Sequence, residues 1–414
     1  MSKSLKTGLD KFTSLPEDVA NDKVLARLSM EDISRLSVVS RRCRQLCIST
    51  PFLNVDVTPY LNNAAKRTRL MNYVDRLFSL RRGMAIHRFT VCWSLDQSGL
   101  NNGSEEEEYR VISWLHNALM CNVKKLVLVL RPKTGSILRA CDFALPPSLL
   151  CSASLTLLGI YGINKLPSFS SIGFSSLTVL KLCTVRLDES FSDWVSTRCK
   201  FLQTLYLQSI KETKSIVINS SCITELYISS MDRELCHIQV SAGILKTMIL
   251  WWLFDARNDR RLQLSVPQLQ MFVWRGNILR LPLTENLASL KSGANIFLAS
   301  ASTLTSRNIV HVFYDLRRFN SSILFIKNLR DYESTKYCNG QNGKTLAQNL
   351  KFVTIELISQ AKNELEMVKY LLKNAEYLQR MTILYAPPLG SDVVGEIRGH
   401  EKASKAAVVK FHPM

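Results

Sequence analysis

The 414-residue chain lacks the signatures of an enzyme. It has no G-x-x-x-x-G-K-[ST] phosphate loop, no G-x-G-x-x-G, no H-E-x-x-H and no G-x-S-x-G. Its six histidines are far apart, and its eleven cysteines include no C-x-x-C pair. Cys236 and His237 are adjacent, so on a strand they point to opposite sides, a poor geometry for sharing a metal. His311, in the apolar string "IVHVFY", reads as a packed residue. No catalytic residue, metal site or cofactor is therefore expected. There is no apolar run of about eighteen residues, so no transmembrane helix is expected. The opening "MSKSLKTGLDKF" has no apolar stretch of the secretory type. The cysteines are then expected to be reduced, and those in apolar strings, such as Cys92 and Cys183, to act as small hydrophobes. These absences together predict a nuclear or cytoplasmic protein without a membrane partner.

A net charge of +19 favours acidic partners, but it is not concentrated. Residues 10–56 are balanced, with seven Lys/Arg and seven Asp/Glu. Residues 122–300 carry twenty against eleven, and residues 301–414 sixteen against ten. No run of five basic residues occurs, so nucleic acid is not the expected partner.

What the sequence does contain begins with "SLPEDVANDKVLARLSMEDISRLSVVSRRCRQLCISTPFLNVD". Ser14 and Glu17 have the spacing of a capping box, with Pro16 in the first turn. Ser29 starts a second helix with acids in its first turn. From there Ile33, Leu36, Val39, Cys43, Leu46 and Cys47 recur at steps of three or four, which predicts one apolar helical face ended by Pro51. Helices this short do not bury such faces on their own, so the segment needs the rest of the chain or another protein against it.

This segment resembles the F-box, specifically the plant type. The resemblance rests on Leu15-Pro16-Glu17-Asp18, on Val24-Leu25-Ala26-Arg27-Leu28-Ser29, and on the stretch from Ser37 through Ser40-Arg41-Arg42-Cys43-Arg44 to Cys47. Ser29 stands where the family pattern has a proline, and Cys43 and Cys47 where it has tryptophans. The resemblance implies docking onto the Skp adaptor of a cullin-RING ubiquitin ligase. The residues it implies for that dock are Leu15, Pro16, Val19, Leu25, Leu28, Ile33, Leu36, Val39, Cys43 and Leu46.

The body is periodic. An L-x-x-L-x-L element starts at Val123, Leu155, Leu177, Leu202, Ile223, Leu245 and Leu269. Five of the six intervals fall in the ~20–29 residue range of leucine-rich repeats. Each such unit buries its leucines only by stacking on its neighbours, which predicts a curved α/β solenoid behind the N-terminal three-helix F-box. The return segments read as irregular, apart from a helix in "ESFSDWVSTRC". "GSEEEEYR" reads as an exposed acidic loop. The stretch from Phe174 to Ile210 looks like the repeat unit of plant F-box/leucine-rich-repeat proteins, and Trp114 matches a tryptophan recurrent in that family.

Near the end, "LKFVTIEL" and "MTILY" read as strands around a helix in "NELEMVKYLLKNAEYL", capped by Asn363 and Glu366 and with Leu365, Val368, Leu371, Leu372, Ala375 and Leu378 on its apolar face. This resembles the FBD region of plant F-box proteins. The expected organisation is an F-box over 10–56, a connecting region over 57–122, repeats over 123–290, further repeats with the FBD-like unit over 291–385, and a loosely ordered tail over 386–414.

On an L-x-x-L-x-L strand the leucines face inward and the intervening residues line the opposite face. That face carries Tyr161, Lys181, Tyr206, Glu225, Tyr227, Ile249, Trp251, Val273 and Arg275. Tyrosine, tryptophan and arginine are the types that dominate binding hot spots, so Lys181, Tyr206, Tyr227, Trp251 and Arg275 are the candidate substrate contacts. The expected function is substrate recognition for an SCF-type ubiquitin ligase, the chain itself doing no chemistry. Three other readings fit the same residues: an F-box-like scaffold that does not bind the adaptor, a basic solenoid on nucleic acid, and a receptor whose concave face forms the substrate site jointly with a small molecule.

Overall fold

The computed structural model describes residues 15–95, 103–133, 140–149, 151–164, 174–188, 190–230, 234–252, 261–276, 294–298, 323–326, 352–357, 375–385 and 390–413, with residues 12, 166, 365, 368–369 and 371–373 besides. The chain divides into two compact units, Met1–Arg186 and Leu187–Met414.

The first unit opens on short turns. Helix α1 (Glu17–Val19) passes into a π turn (Ala20–Val24) and a 3-10 turn (Leu25–Arg27), followed by α2 (Met30–Leu36) and α3 (Arg41–Ser49). Ser29 caps α2 as its sequence predicts, its hydroxyl accepting from the Asp32 N–H. The predicted single face from Ile33 to Cys47 is instead split between two helices. Ser37 closes α2, and Ser40 starts α3 by accepting from the Cys43 N–H. Two serines flanking the β-branched Val38-Val39 pair offer the backbone an alternative to continuing the helix. Ser14, the expected first cap, lies outside the described residues.

Strand β1 (Phe52–Asp56), a 3-10 turn (Thr58–Tyr60), α4 (Ala64–Arg81), β2 (Arg88–Leu95), α5 (Gly103–Met120), β3 (Lys125–Pro132), β4 (Leu157–Tyr161) and β5 (Val179–Cys183) complete this unit. The strands pair in the order β1-β2-β3-β4-β5, all parallel. The ladder thus begins two strands before the first predicted repeat, with Leu53, Val55, Phe89, Val91 and Trp93 buried like the later leucines. Helices α4 and α5 supply the crossovers that parallel strands need.

The acidic stretch expected as a loop is the start of α5. Glutamates suit the first turn of a helix. Glu107 also turns inward to Arg67, a residue only 4% exposed: Arg67 Nε donates to Glu107 Oε1 at 2.6 Å, and the indole of Trp93 donates to the same carboxylate. A second arginine, Arg81, is fully buried (0% exposed). It donates to the carbonyls of Ile48 (2.6 Å) and Thr50 (2.7 Å) at the exit of α3, and to Met84 (3.4 Å) and Ala85 (3.2 Å) beyond α4.

In the second unit α6 (Ser190–Arg198) is followed by β6 (Thr204–Gln208), β7 (Ser215–Ser220), β8 (Glu225–Ser230), β9 (His237–Ala242), β10 (Thr247–Trp252), β11 (Arg261–Ser265), β12 (Met271–Gly276) and β13 (Ala294–Leu298). One parallel sheet runs β6-β8-β10-β12-β13. All seven predicted repeat elements are therefore strands, three in the first unit and four in the second. The return segments, expected to be irregular, form a second parallel sheet, β7-β9-β11. Their alternation explains it: Ile216, Ile218, Ile238, Val240, Leu262 and Leu264 are buried, while the intervening Val217, Gln239 and Gln263 are only half-buried.

The final sheet is β14 (Ile323–Ile326), β15 (Phe352–Leu357), β16 (Arg380–Tyr385) and β17 (Val408–Pro413), again parallel, with α7 (Ser391–Gly399) crossing between the last two. Val368, Leu371, Leu372, Ala375 and Leu378 are buried as expected, while Asn363 and Glu366 lie outside the described residues. The tail over 386–414, expected to be loose, instead adds a helix and a strand. Lys369 holds Glu396 of α7 at 2.6 Å, and the Ala403 N–H donates to the Leu372 carbonyl at 2.9 Å.

Candidate binding surfaces

The ten residues implied for adaptor docking separate into two groups. Leu25, Ile33, Cys43 and Leu46 are buried within the chain. They are not available as surface, and what they do is pack the segment against the rest of its unit. Helical period marks a residue as buried without saying against what. Leu15, Leu28 and Leu36 are half-buried, and Pro16 is exposed. Val19 is 40% exposed and Val39 66%. Val38, not singled out from sequence, is 74% exposed.

The arginines of α3 support this outward group. Arg42 donates to the Leu15 carbonyl at 3.0 Å, and Arg44 Nε to the Ser37 carbonyl at 3.3 Å, beside the valine pair. Ser49 at the other end of α3 donates to Glu17 at 3.2 Å. Cys43 and Cys47 both point inward, so the two departures from tryptophan concern packing beneath the surface. Burial pushes the Cys47 thiol up to about 12, which keeps it neutral and apolar.

The second surface is the sheet face opposite the leucines. Lys181 lies half-buried on β5 of the first unit. In the second unit Tyr206 and Tyr227 are in register on β6 and β8 and stack face to face, centroids 4.1 Å apart and planes 4° apart. The Tyr206 hydroxyl donates to Gln208 Oε1 at 2.8 Å, fixing the ring. Gln208, Ser229, Trp251 and Arg275 share the next register row across β6, β8, β10 and β12. Trp251 is half-buried, and its neighbour Trp252 is buried on the leucine side. The structure thus gathers four of the five candidates on adjacent strands and leaves Lys181 in the other unit. Gln208 was missed because amide residues carry no hot-spot signal of their own.

Among the described residues, no group of three or more His, Cys, Asp or Glu side chains is placed to hold a metal, and no helix is long and apolar enough to cross a membrane. His237 hydrogen-bonds along its own sheet, Nδ1 to Ser215 at 3.1 Å and Nε2 to Gln263 at 3.4 Å.

A capped helical segment feeding a ladder of parallel leucine-bearing strands is an α/β arrangement that fits an F-box followed by leucine-rich repeats. Comparison with known families agrees in chain order: the F-box domain matches residues 12–54, the "FBD-associated F-box protein At5g56370, LRR repeats" family residues 111–276, and FBD residues 344–383. The chain therefore carries the domain combination of the plant F-box/LRR proteins with an FBD. Curated relatives from Arabidopsis thaliana include F-box/LRR-repeat protein At4g14096, 26% identical over 44% of this chain and 35% of the relative. F-box/FBD/LRR-repeat protein At5g22660 is 22% identical over 64% of this chain and 52% of the relative. FBD-associated F-box protein At4g13985 is 23% identical over 61% and 53% respectively. The matched part thus spans about half or less of the length of these relatives.

Proposed function

We propose that this chain is the substrate-recognition subunit of a Skp–cullin–F-box ubiquitin ligase, acting in the nucleus or cytoplasm. The F-box segment docks the Skp adaptor, and the repeat sheets curve into a solenoid whose concave face, with Tyr206, Tyr227, Trp251 and Arg275, holds a target protein. The chain performs no chemistry in this reading. It supplies effective concentration and orientation, bringing the target to a ubiquitin-loaded enzyme. The observation that carries the proposal is the set of apolar side chains that the F-box segment leaves outside its own core, Val38 at 74% and Val39 at 66% exposure above all. Large apolar groups held outward by backbone-bonded arginines favour a protein partner.

Coexpression with a Skp adaptor and measurement of co-purification tests it. Val38→Asp/Val39→Asp should abolish co-purification while leaving the thermal melting unchanged, because these exposed side chains contribute little to the fold. An intact, folded wild-type chain that fails to co-purify would leave an F-box-like scaffold in place of a ligase subunit.

A further inference from the structure

A second site lies where the F-box segment meets the first crossover helix. There α2 and α4 face each other across a groove of about 320 Å³, at the lower end of the roughly 300–1,000 Å³ range of ligand pockets. On α4 the groove is lined by Lys66, Arg69, Leu70 and Tyr73, spaced three, four and seven apart and so on one helical face. Met30, Glu31 and Arg35 of α2 line the other side. The floor is apolar, since Met30 and Leu70 are buried, and Tyr60 and Tyr73 form half-buried aromatic walls.

Charge at this groove is unbalanced. Three cations line it against one carboxylate. Glu31 is already engaged: Arg35 holds it at 2.5 Å, and the Tyr60 hydroxyl donates to its second oxygen. Lys66 rests over the Tyr60 ring, 5.8 Å from its centroid, and neither Lys66 nor Arg69 forms an ion pair among the described residues. Both are exposed.

We infer that this groove binds an acidic peptide segment of a partner protein, one that inserts a large apolar side chain onto Met30 and Leu70 and sets flanking carboxylates against Lys66 and Arg69. Charge complementarity selects this occupant: an apolar floor alone takes any hydrophobe, but two exposed cations outside any described ion pair, Lys66 and Arg69, repel basic segments at the rim and reward acidic ones. The inference does not rest on adaptor docking, and it holds for the full chain in the absence of any ligase component.

The test uses the full-length protein and a rhodamine-labelled peptide, acetyl-Glu-Glu-Leu-Phe-Glu-Glu-amide, followed by fluorescence anisotropy. A twin with lysine for every glutamate and an oligothymidine form the other arms. The acidic peptide should bind and the lysine twin should not. Lys66→Glu/Arg69→Glu, two exposed positions, should weaken acidic-peptide binding by at least about tenfold with the melting temperature unchanged, and raised salt should weaken it as well. Lys124→Glu, an exposed cation elsewhere in the same unit, should leave it unaltered. Absence of binding, equal binding of the lysine twin, or indifference to the double variant would overturn the inference. Oligothymidine binding that depends on Lys66 and Arg69 would overturn it in favour of nucleic acid.

Discussion

Arg67 and Glu107 meet across α4 and α5, guanidinium to carboxylate, with the Arg67 guanidinium 4.8 Å from the centroid of the Trp93 ring. Trp93 in turn packs edge-to-face on Trp114 at 5.2 Å, and the Trp114 indole donates to Asp75 at 2.5 Å. One charge pair therefore ties two helices to the strand beneath them.

Removing one member of such a pair leaves the other charge buried and uncompensated, a cost of about 3–5 kcal/mol. Glu107→Gln should lower the urea midpoint accordingly. Arg67→Met/Glu107→Leu should recover a large part of the loss, because both charges leave together.

Among the described residues Arg81 pairs with no carboxylate and serves four backbone carbonyls instead. Arg81→Met withdraws every donor at once, and the Thr50 carbonyl, the acceptor of the one buried bond among the four, costs about 1–3 kcal/mol when orphaned. The expected result is loss of hydrogen-exchange protection around Thr50 and Met84 before any change at β4 or β5.

The Glu31–Tyr60 contact sets a pH window for the junction of α2 with the turn before α4. The Tyr60 hydrogen bond holds Glu31 below its ordinary carboxylate value, and its contribution is lost as pH falls through that lowered value. The same hydrogen bond, with burial, pushes Tyr60 up to about 12. Its contribution is complete below pH ~10, the ordinary tyrosine value, and disappears as pH rises toward 12. Ultraviolet titration should show one fewer late-titrating phenol in Tyr60→Phe, with that for Tyr73, pushed to about 12 chiefly by burial, remaining.

Gly162 has φ +78°, and a Cβ there would sit 2.1 Å from the Leu130 carbonyl oxygen. Gly162→Ala should destabilise the β3–β4 region by more than the roughly 1 kcal/mol of positive φ alone, since the backbone itself must move. Thermal melting against Gly243→Ala, where nothing lies within 4 Å, separates the clash from general glycine effects.

Alkylation reads burial directly. Cys199, pushed to about 12 by burial, and Cys43 and Cys47 should resist iodoacetamide in the folded protein, whereas exposed Cys151 should react first, as mass spectrometry of the peptides will show.

The parts legible in the sequence were those with a strict period. Each L-x-x-L-x-L element became a strand because its leucines have nowhere else to be buried, and the Ser29 cap and the 190–198 helix followed from local chemistry. What escaped depended on distant partners. Nothing near "GSEEEEYR" announces Arg67, forty residues earlier in the chain from Glu107, so charge alone suggested a loop. The return strands β7, β9 and β11 are each too short to be distinguished from loops until they pair. The exposure of the residues implied for docking was only partly legible, since Ile33 and Val39 share a helical period but not a helix. The stacked Tyr206–Tyr227 pair was found because a repeat register fixes which residues are neighbours across strands.

The F-box match ends at residue 54, inside β1, and every residue of that strand is registered against β2. Phe52 to Asn54 therefore belong both to the F-box match and to the strand ladder of the first unit. A cut after Asp56 would not release a module but would strip the sheet of its outermost rung and bare β2 to solvent, inviting edge-to-edge aggregation. Within the first unit the same continuity ties the orientation of α2 and α3 to the opening rungs of the sheet, so a displacement of either helix is felt at β2.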